Sequence, residues 1–420
     1  MRSRKEMEGQ MSEMSGKHAI RVFTLNCWGI PYVSKDKNSR MSAIAKHLLI
    51  SNLDLVCLQE VWSKKDFLFL SRKCHSQLPY SHYFNSFVTG SGLCVLSKHP
   101  IVDVYFHQWP INGYAHKIHQ GDWFGGKGIG LCKIQINNLL VNLYTAHLHA
   151  EYSSENAAYL SHRLLQAFDT SQFVKLTSGD CDIAILAGDL NTEPHDLAIK
   201  ILNQNAHLVD SFYAAQEKSP TCIGTNESSR NSYSPAKELK RQPGGKRIDY
   251  ILYKKSRKFD VEVEQYQFPL PDRVPGCSFS YSDHEAIEVK LNCIPVVGSS
   301  AVTSDMPDAE LHSTLEQAIE VCNDSLQKLK TSQRTYISLA VVFALFLFVS
   351  LFVELFFNIS QDFGVSYTLT VISFNILKTT ITLAFTFFMM MGILWCRSER
   401  SAILTGKFSM MLILKRLRKP

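Results

Sequence analysis

The chain has 420 residues, 45% of them hydrophobic, and a formal net charge of +6. That length admits two or three units, and so small a charge is mild for a nucleic-acid binder; cations beside apolar stretches suit a membrane surface at least as well. The 11 cysteines include no CxxC pair, which argues against a zinc framework, while Cys57, Cys94 and Cys132 stand in apolar runs as small core residues of a reducing compartment.

Residues 1–18 are polar, lack an apolar signal core and read as a disordered tail, so the following unit is expected to fold in the cytosol. Residues 19–294 read as one catalytic domain. Ile20 to Asn26 predicts a strand. Met41, Ile44, Ala45, Leu48 and Leu49 give helical spacing over 40–52, and Asp54 to Gln59 is an apolar strand ending at Glu60. Leu93–Ser97 and Ile101–Phe106 predict a hairpin around Lys98-His99-Pro100. Ile129–Ile136 and Leu139–Thr145 predict another, turning at Asn137-Asn138. Ser153 to Leu176 predicts a long amphipathic helix, Asp182 to Ala187 a buried strand, and 226–247 a long polar loop. Ile248–Tyr253 and Ala286–Leu291 are late strands. Many strands with a few helices outside them imply an α/β architecture, two mixed sheets packed face to face and flanked by helices.

Residues 295–335 read as a linker and a juxtamembrane helix. Two apolar stretches follow, 336–357 and 371–395, each long enough to cross a bilayer, and 396–420 form a basic tail. The short connection makes a hairpin. Lys328, Lys330 and Arg334 precede it, Arg397, Arg400 and Lys407 follow it, and the loop between carries no Lys or Arg. The positive-inside rule then places both ends in the cytosol, on an internal membrane such as the endoplasmic reticulum.

One pattern repeats through the catalytic domain: an apolar strand ends and an acidic or amide residue stands just beyond it. It occurs at Asn26, at Glu60, at Asp189 and Asn191, and at Asp283 with His284. Strand ends aligned along one sheet edge bring such side chains into one cleft, and hard oxygen ligands suit magnesium, with manganese as a substitute. Asp249 sits within a strand and needs a buried partner. The Gly125-Gly126-Lys127-Gly128 run lacks the spacing of a nucleotide-binding loop; Lys127 either faces the cleft or lies on the hairpin surface. Trp109, Tyr114, Trp123 and Phe124 form an aromatic region suited to lipid or to core packing.

The motifs Thr24-Leu25-Asn26, Leu58-Gln59-Glu60, Thr145-Ala146-His147-Leu148, Gly188-Asp189-Leu190-Asn191, Arg247-Ile248-Asp249-Tyr250 and Ser282-Asp283-His284 resemble the endonuclease/exonuclease/phosphatase superfamily. Asn26-Cys27-Trp28-Gly29-Ile30-Pro31, His147-Leu148-His149-Ala150-Glu151-Tyr152 and the terminal hairpin are similar to the small two-span neutral sphingomyelinases. The resemblance implies a four-layer α/β sandwich and magnesium-assisted cleavage of sphingomyelin, or of choline lysophospholipids such as lyso-platelet-activating factor, at a bilayer. It also implies roles: Glu60, Asn26 and Asp283 at the metal, His284 as general base oriented by Asp249, Asp189 on the attacking water, Asn191 on the phosphate, and His147 either on the phosphate or protonating the leaving oxygen. Lys127 and His149 are expected as substrate-phosphate or supporting residues. A nuclease or deadenylase on the same fold is the alternative, disfavoured by the hairpin and by the lack of dense basic clusters near the motifs, so no nucleic-acid partner is expected. A scaffold with a decayed site is a third reading; every expected catalytic position is filled.

Overall fold

β1 (His18–Asn26) alternates its side chains between two cores. Ile20 and Val22 face the space between two sheets, while Phe23 and Leu25 face the opposite way, against Met41, Ile44 and Leu48 of the Lys37–Ile50 helix. Because successive strand residues point to opposite faces, a strand with a sheet on one side and a helix on the other must be apolar on both. β2 (Leu55–Gln59) is buried throughout for the same reason. The computed structural model describes residues 17–114, 116–117, 120–152, 158–220, 223–296, 308–359 and 365–418. They fall into two compact units, Met1–Gly113 with His119–Leu315, and Tyr114–Ile118 with Glu316–Pro420.

The further strands of the first unit are β3 (Tyr80–Tyr83), β4 (Cys94–Ser97), β5 (Ile101–Gln108), β6 (Gly128–Ile136), β7 (Leu139–His147), β8 (Ile183–Asp189), β9 (Val209–Asp210), β10 (Ala215–Lys218), β11 (Asp249–Lys254), β12 (Phe259–Gln267) and β13 (Ile287–Pro295). One sheet has the order β10-β12-β13-β1-β2-β4-β3 and the other β5-β6-β7-β8-β11-β9. Between them lies a core in which Val22, Leu55, Cys57 and Val95 meet Cys132, Val141, Leu143 and Ile185. The Lys37–Ile50 and Lys64–Cys74 helices cover the seven-stranded sheet. Outside the other sheet run the Leu160–Thr177 and Leu197–Ala206 helices. Tyr144 Oη meets Thr177 Oγ1 at 2.8 Å, and Lys175 Nζ donates to Asn205 Oδ1 at 3.1 Å. The result is a four-layer α/β sandwich.

Several local expectations change. Leu93–Ser97 and Ile101–Phe106 do not pair as a hairpin, since β4 joins β2 and β3 while β5 joins β6 in the other sheet. The turn is pinned instead to the loop before β2: Lys98 N donates to Asp54 O at 2.9 Å, and His99 Nε2 lies 2.8 Å from Asp54 Oδ1. The helix expected from Ser153 begins at Leu160; 153–157 lie outside the described residues. The segment 226–247 is not wholly loop, as it holds a short helix, Ala236–Arg241. Most of the tail and linker calls, 1–16 and 297–307, also lie outside the described residues.

The juxtamembrane stretch and the first apolar stretch form one continuous helix, Asp308–Ile359, of which 308–315 belong to the first unit and the rest to the second. At 1.5 Å per residue, its 52 residues span about 78 Å. The second apolar stretch falls on the Val365–Met389 helix and a π-helical turn, Met390–Trp395, and Cys396–Leu417 continues as helix. Two helical stretches are long and apolar enough to cross a membrane. They approach at Gly392, where an added Cβ would lie 3.0 Å from Ile337 Cγ1, and Gln333 Nε2 donates to the Gly392 carbonyl at 2.8 Å. A π turn leaves backbone groups without their usual partners, and this glutamine satisfies one.

Candidate active site

Sheet register lines up three of the expected residues. His147 ends β7 opposite Asp189 at the end of β8, and Asp189 stands opposite Asp249 at the start of β11. In the facing sheet, Asn26 ends β1 opposite Gln59, and Glu60 follows. A hydrogen bond from Asn26 Nδ2 to Asp189 Oδ2 (2.9 Å) ties the two sheets at this end, and the same amide donates to Glu60 Oε1 at 3.2 Å. Asp189 Oδ1 accepts from the Asn191 backbone N–H at 2.9 Å.

Glu60 is turned out of its strand by a left-handed backbone (φ 56°). Two loops hold that turn. Gly29 N donates to Glu60 O at 3.0 Å, and Val61 N donates to Gly92 O at 2.9 Å. Gly29 has to be glycine because a Cβ there would stand 2.4 Å from Glu60 O.

His284 Nδ1 lies 2.8 Å from Asp249 Oδ2, and its Nε2 is 3.8 Å from Asp189 Oδ2. All three residues are buried. Burial disfavours the imidazolium, but the carboxylates of Asp249 and Asp189 outweigh it and hold His284 well above its ordinary value. Burial, then the Asp249 charge, pushes Asp189 up to about 7, against the opposing pull of His284 and the Asn26 and Asn191 hydrogen bonds. Asp283 and Glu60 are raised chiefly by burial, and the Asp283 charge adds to the rise at Glu60.

A buried carboxylate whose charge is disfavoured both by burial and by a second carboxylate, as at Glu60, suits a cation. Glu60 Oε2 is buried and has no hydrogen-bond partner among the described residues, as a metal ligand would be left without its ion. Asp189, Asp249 and His284 also offer ligand atoms within 4.8 Å of one another. There, however, Nδ1 of His284 is engaged by Asp249. The Glu60 side of the cleft is the better fit for a hard cation.

His147 Nε2 lies 3.4 Å from Asp189 Oδ2 and 4.0 Å from Glu60 Oε1. Lys127 is buried rather than on the hairpin surface; its Nζ is 3.3 Å from His147 Nε2 and donates to Leu148 O at 3.1 Å. Asn191 Nδ2 donates to the same carbonyl at 3.0 Å, so one of its amide hydrogens is engaged by the protein. His149 turns away from this group: its Nδ1 lies 2.7 Å from Ala150 O, and its ring stacks on Tyr159 at 4.0 Å. Of the aromatic region, Trp109 is buried.

Other residues assemble the site without a motif to mark them. Arg40, fully buried, donates from Nη1 to Cys27 O (2.8 Å) and Tyr281 O (3.2 Å), from Nη2 to Trp28 O (2.8 Å) and from Nε to Lys35 O (2.9 Å). It joins the loop after Asn26 to the loop before Asp283. Ser282 Oγ donates to Asn26 O at 2.6 Å. Thr225 Oγ1 accepts from Ile248 N and Asp249 N at 3.0 and 3.1 Å, while Thr225 O accepts from Glu285 N. That one residue sews the Asp249 strand to the His284 loop. Helical phase marks Arg40 in the sequence only as the first buried position of its helix.

A carboxylate–histidine pair facing a bonded cluster of carboxylates and amides, set at one end of a two-sheet sandwich, defines a hydrolytic site. Residues 23–284 match the endonuclease/exonuclease/phosphatase family, and the chain belongs to it. A Drosophila melanogaster relative, named as a candidate neutral sphingomyelinase, is 38% identical over 95% of this chain and 98% of its own length. Sphingomyelin phosphodiesterase 2 of Homo sapiens is 40% identical over 65% of this chain and 64% of its own. Among solved structures, sphingomyelinase C of Streptomyces griseocarneus shares the fold with a TM-score of 0.52 and 18% identity, covering 65% of this chain and 99% of its own.

Proposed function

We propose that the protein is a magnesium-dependent sphingomyelinase of the phospholipase C type, which hydrolyses sphingomyelin to ceramide and phosphocholine. One observation carries the substrate: a relative named for sphingomyelin cleavage matches along nearly the whole chain, apolar helices included. Choline lysolipids such as lyso-platelet-activating factor offer the same phosphodiester and are the secondary substrates we expect.

In this reading water attacks phosphorus and the bond from phosphorus to the ceramide oxygen breaks. Asp249 engages Nδ1 of His284 and leaves Nε2 facing Asp189, so Nε2 is the atom that takes the water's proton. Asp249 then stabilises the imidazolium that forms. Asp189, held by Asn26 and by the Asn191 N–H, orients the water. His147, with Lys127 beside it, donates to the phosphate where negative charge develops, and Asn191, which shares the Leu148 carbonyl with Lys127, donates from its remaining amide hydrogen. The ceramide oxygen leaves with a proton taken from solvent water, and the His284 imidazolium releases its own proton to solvent, so the protons balance. Glu60, Asn26 and Asp283 are the residues that fit a divalent cation; bound there, magnesium supplies charge to counter the phosphoryl oxygens. His149 is a supporting residue, bracing the loop after β7.

The two apolar helices and their flanking cations support a bilayer anchor with the catalytic unit on the cytosolic side of an internal membrane. Full-length protein in mixed micelles is expected to cleave sphingomyelin with magnesium and not without it, and to leave a labelled oligonucleotide intact. Cleavage of the oligonucleotide alone would overturn the lipid reading.

A further inference from the structure

The two loops that hold Glu60 also carry the most exposed apolar side chains near the cleft. In the loop after β1, Tyr32 is 107% and Val33 67% exposed; in the loop after β3, Phe87 is 66% and Val88 74% exposed. Each loop is tied to the backbone around Glu60 by one bond: Gly29 N donates to Glu60 O, and Val61 N donates to Gly92 O. The second loop is also packed on the residue before Lys127, with Ser86 Oγ donating to Gly126 O at 2.7 Å. All four side chains therefore stand on loops that border the end of the sandwich where the catalytic groups gather.

Their conformation argues that the exposure has a use. Tyr32 (φ 64°) and Phe87 (φ 33°) occupy the left-handed region, where glycine or asparagine is the undemanding choice. An aromatic residue there strains the backbone, while Tyr32 is fully exposed and Phe87 leaves most of its surface in solvent. Such strain is kept where a function outside the fold requires it. Lys35, Lys64 and Lys65 are exposed on the same loop and beside Trp62, whose ring lies 3.2 Å from a Cβ built on Gly92. Apolar tips flanked by lysines match the interface of a bilayer, with rings among the acyl chains and ammonium groups among the phosphates.

We propose that Tyr32, Val33, Phe87 and Val88 form a rim that inserts into the surface of a lipid bilayer. The rim seats the mouth of the site on the leaflet, so the lipid phosphodiester enters without crossing water. The occupant is a lipid surface because the same chain carries two helices long and apolar enough to cross one. This inference rests on the reading of the protein as a lipid phosphodiesterase.

Full-length protein reconstituted in phosphatidylcholine–sphingomyelin liposomes tests it. The variant combining Tyr32→Ser, Val33→Ser, Phe87→Ser and Val88→Ser should lose about tenfold or more of its turnover on bilayer sphingomyelin. It should keep wild-type turnover on a short-chain sphingomyelin supplied as monomers. Equal loss on both substrates overturns the rim, as does unchanged bilayer turnover. Failure of the functional reading has its own signature, a wild-type protein that cleaves neither substrate. The rim is then decided without activity, by a fluorophore on Tyr32→Cys in a Cys277→Ser, Cys222→Ser background. Spin-labelled lipids should quench that probe and not one on Leu176→Cys, at the opposite end of the sandwich. An unquenched probe at position 32 overturns the proposal.

Discussion

At the scale of single residues, the groups of the site are fixed by specific neighbours, although Glu60 Oε2 and Asp249 Oδ1 have no hydrogen-bond partner among the described residues. Asp249 is buried against His284 and sets which imidazole nitrogen faces the cleft. Replacing His284 by Ala should lower turnover by about a thousandfold while the protein still folds and inserts in membranes, measured with sphingomyelin micelles. Asp249→Asn is the sharper test. The carboxylate raises the His284 pKa, so its loss should lower that pKa and move the rising limb of the pH–rate profile to lower pH, while turnover falls by orders of magnitude. An unmoved limb would mean that His284 is not the group titrating. Arg40 acts at one remove. Arg40→Lys keeps the charge but has no planar fork to reach the Cys27, Trp28 and Tyr281 carbonyls together. It should lower turnover and raise the magnesium concentration needed for half-maximal rate. Equal activity at all magnesium concentrations would remove Arg40 from the account.

At the scale of elements, the strands deliver their ends to one place only if their backbones run very close. Gly188, one residue before Asp189, shows how close: a Cβ there would lie 2.1 Å from Ala146 O on the neighbouring strand. Gly188→Ala should destabilise the domain by about 3 kcal/mol, read as a lower denaturation midpoint, because β7 and β8 must part to admit the methyl group. Much of this arrangement was legible from the sequence. A polar residue that closes an apolar strand is visible locally, so Asn26, Glu60 and Asp189 stood out; Asp283 and His284 look the same in sequence, but they stand in the loop that leads into β13 and close no strand. Arg40, Thr225 and Ser282 were not legible, since each acts through backbone carbonyls or amides of residues remote in the chain, and no spacing records that. The β4–β5 connection misled for a related reason. Ser97-Lys98-His99-Pro100 has the composition of a hairpin turn, yet its partner is Asp54, which diverts the chain to the other sheet. Lys127 was ambiguous because a lysine in a glycine run is equally at home on a surface; only the approach of His147 and Leu148 shows it buried.

At the scale of the whole molecule, burial and neighbouring charge hold Glu60, Asp189 and Asp283 above their ordinary values, a tension that the proposed cation would relieve. Asp189 is raised from 3.8 to about 7, and His284 above its ordinary value. For a group whose pKa is higher folded than unfolded, the folded protein binds the extra proton, and that stabilisation disappears as pH rises through the folded value. The metal-free protein should therefore melt at a lower temperature at about pH 8 than at about pH 5, with the Asp189 contribution falling away between 3.8 and about 7. Magnesium at about a hundred times its dissociation constant should restore about 2.7 kcal/mol and flatten the profile, as followed by calorimetry. A metal-free melting temperature that climbs over this range would contradict the sign. The single bond from Asn26 to Asp189 carries a last consequence. Those two residues belong to separate sheets and lie 163 positions apart, so neither half of the chain owns the site. A chain that had formed all its strands but not yet closed its sheets against each other would be chemically silent. During synthesis the polypeptide thus stays inert until β13 has emerged and the sandwich has shut, and enzymatic output serves as a direct gauge of that closure in a refolding or split-protein complementation assay.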